Sequence, residues 1–212
     1  RPFACRLLQR VKVLYVDDTT GCADIAQDPS DPAVLYATTW QFRRSPASFE
    51  SGGPGSGLWK STDGGDTWRR LTVGLPAGEL GRIAVTVMPS QPATLYAVVE
   101  AERTVFLRSD DRGETWRQVS DARAIAGRPF YFSLLVPDPK DVRRVYKAGT
   151  NLLMTRDGGV AWEGVGGWVH SDIHALWVDP NDSKHLLLGT DGGVYQSVSQ
   201  GAAWTFVQNL PV

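Results

Sequence analysis

An eight-residue signature recurs four times along this 212-residue chain at a nearly constant interval. Ser61-Thr-Asp63-Gly-Gly65-Asp-Thr-Trp68 is matched by Ser109-Asp-Asp111-Arg-Gly113-Glu-Thr-Trp116 and by Thr155-Arg-Asp157-Gly-Gly159-Val-Ala-Trp162. A fourth copy, Ser197-Val-Ser199-Gln-Gly201-Ala-Ala-Trp204, keeps the frame with Ser199 where Asp is expected. Successive copies begin 48, 46 and 42 residues apart. Repetition at this interval means that one small unit is stacked several times, each burying a face that it cannot bury alone.

A second element keeps step with the first. Ala23-Asp-Ile-Ala-Gln-Asp-Pro29 followed by Val34-Leu-Tyr-Ala37 has counterparts at Arg82–Pro89 with Thr94–Ala97, at Phe132–Pro139 with Arg144–Lys147, and at Ala175–Pro180 with His185–Leu188. Each reads as an apolar strand, a Pro-containing turn and a second apolar strand. A third strand then runs into the signature and a fourth starts at its Trp. About 45 residues in four antiparallel strands is the size of a propeller blade. Within the blade the signature has a structural job: Asp accepts backbone N–H groups in the turn between strands three and four, Gly takes the positive-φ position, and Trp packs between sheets.

Composition agrees with an all-β fold of short strands, since 22 Gly, 13 Pro and eight Trp suit tight turns and aromatic packing better than long helices. The formal net charge is −1 with both signs interspersed, which argues against a nucleic-acid footprint. No window reaches the roughly 18 consecutive apolar residues of a membrane span, and Arg1–Val13 is too charged for the apolar heart of a signal peptide. Cys5 and Cys22 admit either a disulfide or two free thiols.

The signature resembles the Asp-box, or BNR repeat, of sialidases, sortilin-type receptors and xyloglucan-cleaving glycoside hydrolases. From Val13 to Val212 the chain is similar to bacterial exported proteins described as sortilin-like or glycosyl-hydrolase BNR-repeat proteins. The likeness rests on Gly52-Gly-Pro-Gly-Ser-Gly-Leu-Trp-Lys-Ser-Thr-Asp63, Leu80-Gly-Arg-Ile-Ala84, Arg128-Pro-Phe-Tyr131, and His170-Ser-Asp-Ile-His-Ala-Leu-Trp-Val-Asp-Pro180 with Gly189-Thr-Asp-Gly-Gly193. It implies a secreted or periplasmic β-propeller, commonly of about seven blades. Four blade equivalents are present, roughly 22–73, 81–121, 130–166 and 172–210, after an atypical lead at 1–10 and an orphan strand at Val11–Val16. The alternatives are a closed four-blade ring and an open arc whose flank is buried by a homodimer or by the rest of a longer chain, the arc being favoured.

The resemblance also implies that ligands meet the loops on the face opposite the signatures, at 40–57, 100–104, 149–152 and 189–193 and at the blade-to-blade connections. There His170, Asp172 and His174 alternate at the start of a blade. On a strand they would share one face, as divalent-metal ligands, as an acid–base group, or as a hydrogen-bonded structural network. Otherwise no cofactor is expected.

Asp191 lies in Leu186-Leu-Leu-Gly-Thr-Asp-Gly-Gly-Val-Tyr195, which resembles a segment of the xyloglucan-cleaving hydrolases that carries a catalytic Asp, but is one residue shorter between Asp and the glycines. A simple Asp-Gly turn is the alternative. Glycoside hydrolysis requires a second carboxylate about 5 to 9.5 Å away, for which Asp172, Glu100 and Glu102 are candidates. Trp40 and Trp168 are candidate sugar platforms. Arg43, Arg44, Arg82 and Arg128 form a candidate cationic rim suited to a carboxylated ligand. Two functions follow: a glycoside hydrolase-like protein acting on or binding polysaccharide, or a non-catalytic propeller that holds a peptide or protein, as sortilin-like receptors and assembly factors do.

Overall fold

A computed structural model describes residues 13–128, 130, 131 and 133–208. They form four antiparallel sheets in chain order. Blade 1 contains β1 (Thr20–Gln27), β2 (Leu35–Arg44), β3 (Phe49–Ser51), β4 (Gly57–Ser61) and β5 (Arg69–Leu71). Blade 2 contains β6 (Ile83–Val87), β7 (Leu95–Val99), β8 (Val105–Ser109) and β9 (Arg117–Ser120). Blade 3 contains β10 (Leu134–Pro137), β11 (Val145–Ala148), β12 (Leu152–Thr155) and β13 (Glu163–Gly164). Blade 4 contains β14 (Ile173–Val178), β15 (Leu186–Thr190), β16 (Gly193–Ser197) and β17 (Thr205–Phe206). Each blade is a meander; β3 is an extra strand that pairs with the far half of β2.

The signature builds the expected turn. In blade 1 the Asp63 carboxylate accepts from the Thr67 N–H and hydroxyl and from the Ser61 hydroxyl, while Ser61 Oγ accepts from Gly65 N–H. The Thr67 hydroxyl, the Thr67 N–H and the Ser61 hydroxyl hold the Asp63 carboxyl at about 2, well below its ordinary value. Asp111 and Asp157 repeat the pattern. In the degraded fourth copy Ser199 Oγ takes over, accepting from Ala203 N–H at 2.9 Å.

Packing between blades follows from two residues of the repeat. The Tyr of the second strand faces the next blade: Tyr36, Tyr96 and Tyr146 are fully buried in three successive inter-blade cores. The Trp of the signature packs backward, so Trp116, Trp162 and Trp204 join the cores shared with the preceding blade. Each fully buried Leu, Ile, Val or Phe in these cores contributes about 1.5 to 3 kcal/mol. At the two ends the pattern has nothing to meet. Leu187, which holds the Tyr position in blade 4, is 37% exposed, as are its neighbour Trp177 at 45% and, on β1, Ile25 at 62%. Among the described residues no core joins blade 4 to blade 1. The sheets form an open arc, not a closed four-blade ring.

Of the orphan segment, residues 13–16 pair with none of the four sheets, each of which is complete without them; Val11 and Lys12, like Cys5 and the lead at 1–10, lie outside the described residues. Cys22 is an exposed free thiol.

The repeated tyrosines supply an internal test. Tyr96 donates to Val142 O at 3.1 Å and accepts from Arg108, whereas the buried Tyr146 hydroxyl has no partner among the described residues. Burial, with Asp138 adding to it, pushes the Tyr146 phenol up to about 12. Tyr96→Phe is expected to cost about 1 to 2 kcal/mol, and Tyr146→Phe to be neutral or slightly stabilising, since it removes a desolvated group that makes no bond. Urea unfolding of the two variants checks this; equal costs would refute it.

Candidate functional site

Loops from neighbouring blades converge on the face opposite the signatures. At the junction of blades 3 and 4 the 149–152 turn meets the 166–172 connection and the 190–193 turn. Asp172 N–H donates to Thr150 O at 3.1 Å, Ile173 N–H to Gly149 O at 2.9 Å, and Asp191 N–H to Asp172 O at 3.3 Å. A cleft of about 380 Å³ opens there, lined by Thr150, Asn151, Gly166, Val169, His170 and Ser171 among others.

His170, Asp172 and His174 do not share a strand face. β14 begins only at Ile173, Asp172 has the left-handed φ of +61°, and His174 is the extra residue of a bulge between Ile173 and Ala175. A positive φ and a bulge each turn the chain, so the alternation expected of an extended strand is lost. Among the described residues no three His, Cys, Asp or Glu side chains are placed to hold a metal ion. His170, Asp172 and His174 therefore do not assemble as a metal triad.

A different pair forms instead. His174 Nε2 lies 2.5 Å from Asp191 Oδ1, with both side chains about half exposed. His170 turns its Nδ1 to Ser171 O at 2.8 Å, and its backbone N–H donates to the Tyr195 hydroxyl at 3.3 Å. Its ring is braced against Gly192, where a Cβ would lie 2.6 Å from His170 Cβ. Tyr195 also carries Trp168, edge-on at 5.5 Å, and Trp168 is 64% exposed. Tyr195 was not among the expected site residues, although it closes the Asp191 segment itself. Asp172 Oδ1 is buried beside this group without a hydrogen-bond partner among the described residues.

Trp40, Arg82 and Glu100 fall at the junction of blades 1 and 2. Glu100 is tied down: its Oε2 accepts from the Ser51 hydroxyl and from Arg82 N–H, each at 2.8 Å. Ser51 in turn accepts from Trp40 Nε1 at 3.0 Å. Arg82 stacks over the Trp40 ring at 5.4 Å and donates to Tyr131 O at 3.0 Å. Trp40, Arg82 and Glu100 thus anchor the 40–57 segment, which is a hairpin and not a plain loop. Phe49 on that hairpin reaches Phe130, ahead of blade 3, with ring centroids 4.6 Å apart. Arg44 and Arg128 are exposed and line a second cleft beneath the hairpin tip. Glu102 lies in the turn between β7 and β8, beside Arg103.

Comparison with known proteins agrees with this architecture. No family model matches the chain. The GH74 enzyme of Niastella koreensis superimposes with a TM-score of 0.63 at 18% identity, over 88% of this chain and 30% of that one. The chain is an arc of a β-propeller. In sequence it is 26% identical to the "Probable oligoxyloglucan-reducing end-specific xyloglucanase" of Neosartorya fischeri, over 92% of this chain and 24% of the relative. YCF48 from Cyanidioschyzon merolae shares the fold, with a TM-score of 0.54 at 14% identity over 89% of this chain and 56% of that one. The arc spans about a quarter of the length of the curated relative that it matches. Among the described residues no helix is long and apolar enough to cross a membrane.

Proposed function

We propose that this arc is the saccharide-binding part of a glycoside hydrolase-like propeller that works outside the cell or in the periplasm, its open flanks set against further blades or a second copy. The observation that carries the reading is the exposed Trp168, braced by Tyr195 beside the His174–Asp191 pair on the loop face. An indole held edge-on by a second ring presents its faces to the apolar side of a pyranose, and a carboxylate beside it meets the hydroxyls. The sequence likeness to a xyloglucanase favours a β-glucan chain with neutral branches.

On this reading Asp191 is one carboxylate of the hydrolytic pair, with His174 fixing its rotamer. Asp172, whose Oδ1 has no partner among the described residues, is the candidate second group on this chain. Glu100 is unsuited to the role, because its carboxylate already serves Ser51 and Arg82. A non-catalytic binder is the second reading, favoured by the fact that Asp191 is engaged by His174.

Titration with xyloglucan oligosaccharides, together with an assay of reducing ends released from the polymer, tests both. Trp168→Ala is expected to weaken binding about tenfold, the equivalent of about 1.4 kcal/mol. Asp191→Asn is expected to abolish release while binding persists. Binding without any release in the parent protein selects the second reading. Absence of binding, or binding indifferent to Trp168→Ala, overturns the saccharide assignment.

A further inference from the structure

The hairpin formed by β2 and β3 leans from blade 1 across blade 2 and closes a second cleft of about 420 Å³ against the segment that leads into blade 3. Its lining is unusual for an exposed surface. Two arginines, Arg44 from the hairpin and Arg128 from the opposite wall, face it, and no acidic side chain does. Among the described residues neither arginine has an ion-pair partner, although eight of the twelve other described arginines are paired with Asp or Glu.

The geometry prepares both walls. Arg128 has a left-handed φ of +47°, and Tyr131 N–H closes a turn onto its carbonyl at 3.0 Å. That turn lays the Arg128 guanidinium over the Tyr131 ring at 4.8 Å. Stacked in this way, a guanidinium keeps its in-plane N–H donors free to form a forked pair with a planar carboxylate. Across the cleft the hairpin tip is stiffened by its own bonds: Ser45 N–H donates to Ser48 O at 2.8 Å, and Ser48 N–H to Ser45 Oγ at 3.0 Å. Phe49 and Phe130 pack together and supply the apolar part of the lining.

We propose that this cleft binds a carboxylated sugar residue, a uronic-acid unit of an acidic oligosaccharide, at a site separate from the Trp168 face. Two planar cations match a carboxylate, and the aromatic wall matches the C–H face of a pyranose ring. A phosphate would gain from the cations but not from the wall. The choice of a sugar rests on the saccharide reading above; the acidic specificity rests only on the cleft.

The test is calorimetric titration of the full chain with trigalacturonate, and separately with a neutral xyloglucan heptasaccharide. Trigalacturonate is expected to bind, and Arg44→Gln or Arg128→Gln each to weaken it at least tenfold. The neutral ligand is expected to be unaffected by either change. Raising salt from 50 to 500 mM should weaken the acidic ligand alone, because both contacts are exposed ion pairs. Both arginines are exposed, so the variants are expected to fold, and matching thermal melts establish this. The proposal is overturned if trigalacturonate does not bind or if its binding ignores both substitutions. It is equally overturned if an acidic peptide or inorganic phosphate binds as tightly with the same arginine dependence. Failure of the Trp168 reading is distinct: there the neutral heptasaccharide does not bind, whatever the acidic ligand does.

Discussion

Gly74→Ala is expected to destabilise the protein by at least about 4 kcal/mol, a loss at the extreme end for a single substitution. Gly74 lies in the turn that leaves blade 1, with φ at +82° and Leu75 N–H closing onto Thr72 O. A non-Gly residue there costs about 1 to 2 kcal/mol on conformation alone. The greater cost is steric. An added Cβ would stand 1.8 Å from Trp116 O and 2.7 Å from Trp116 C, which are backbone atoms of the next blade. The chain must move by more than an ångström to admit it, and Trp116 N–H would then lose its 3.0 Å bond to Val73 O.

Gly78, a few residues on in the same connection, is the control. Its φ is also positive, at +89°, but a Cβ there meets nothing within 4 Å. Gly78→Ala should therefore show only the conformational cost. Chemical unfolding of the two variants separates the effects, and equal losses would mean that the close approach of blades 1 and 2 is not what Gly74 serves. Against a total stability of about 5 to 15 kcal/mol, the loss expected at Gly74 is a large fraction of what holds the chain folded.

What could be read from sequence divides along the same physical line. The repeat was legible because its determinants are local: Ser61, Asp63 and Gly65 satisfy one another within five residues, and the same solution recurs at Ser109 and Thr155. Inward-facing apolar strands then followed from the period. The site was less legible, because it depends on departures from regularity. Nothing in His170-Ser-Asp-Ile-His174 announces that Asp172 turns left-handed or that His174 sits in a bulge, and these two features exchange the expected triad for the His174–Asp191 pair. Glu100 looked free for chemistry because its partners, Ser51 and Arg82, are distant in sequence. The hairpin did leave a trace. Gln41-Phe-Arg-Arg44 and Phe49-Glu-Ser51 flank Ser45-Pro-Ala-Ser48 as two short strands flank a turn, but the glycines at 52–57 favoured reading the whole stretch as loop.

Lys147→Met is expected to stabilise the protein by about 3 kcal/mol at pH 7, and the gain should fade by about pH 10. The repeat itself identifies the anomaly. Ala37, Ala97 and Leu188 hold the equivalent position on the second strand of blades 1, 2 and 4, and all three are buried. In blade 3 the position holds a lysine that is only 3% exposed, between Leu135 and Leu153 of the adjacent strands. Among the described residues it has no hydrogen-bond or ion-pair partner, and burial alone lowers its amine to about 8 from 10.5.

The sign follows from proton counting. Between pH 8 and 10.5 the unfolded chain holds a proton that the folded chain has released, so this residue makes stability rise with pH across that window. Below pH 8 both states are charged and the folded state bears the full cost of the buried cation. At about 1.4 kcal/mol per pH unit, the interval corresponds to roughly 3 kcal/mol. Methionine of similar length removes the charge and keeps the contacts. Urea unfolding of parent and variant at pH 7 and pH 10 cancels groups common to both, among them the buried tyrosines. A difference that does not change with pH, or a variant less stable at pH 7, would show that the amine finds water or a partner and that this blade interface is looser than its neighbours. A converging difference would mean that blade 3 tolerates a buried cation which its three counterparts avoid, at a cost that a single substitution recovers.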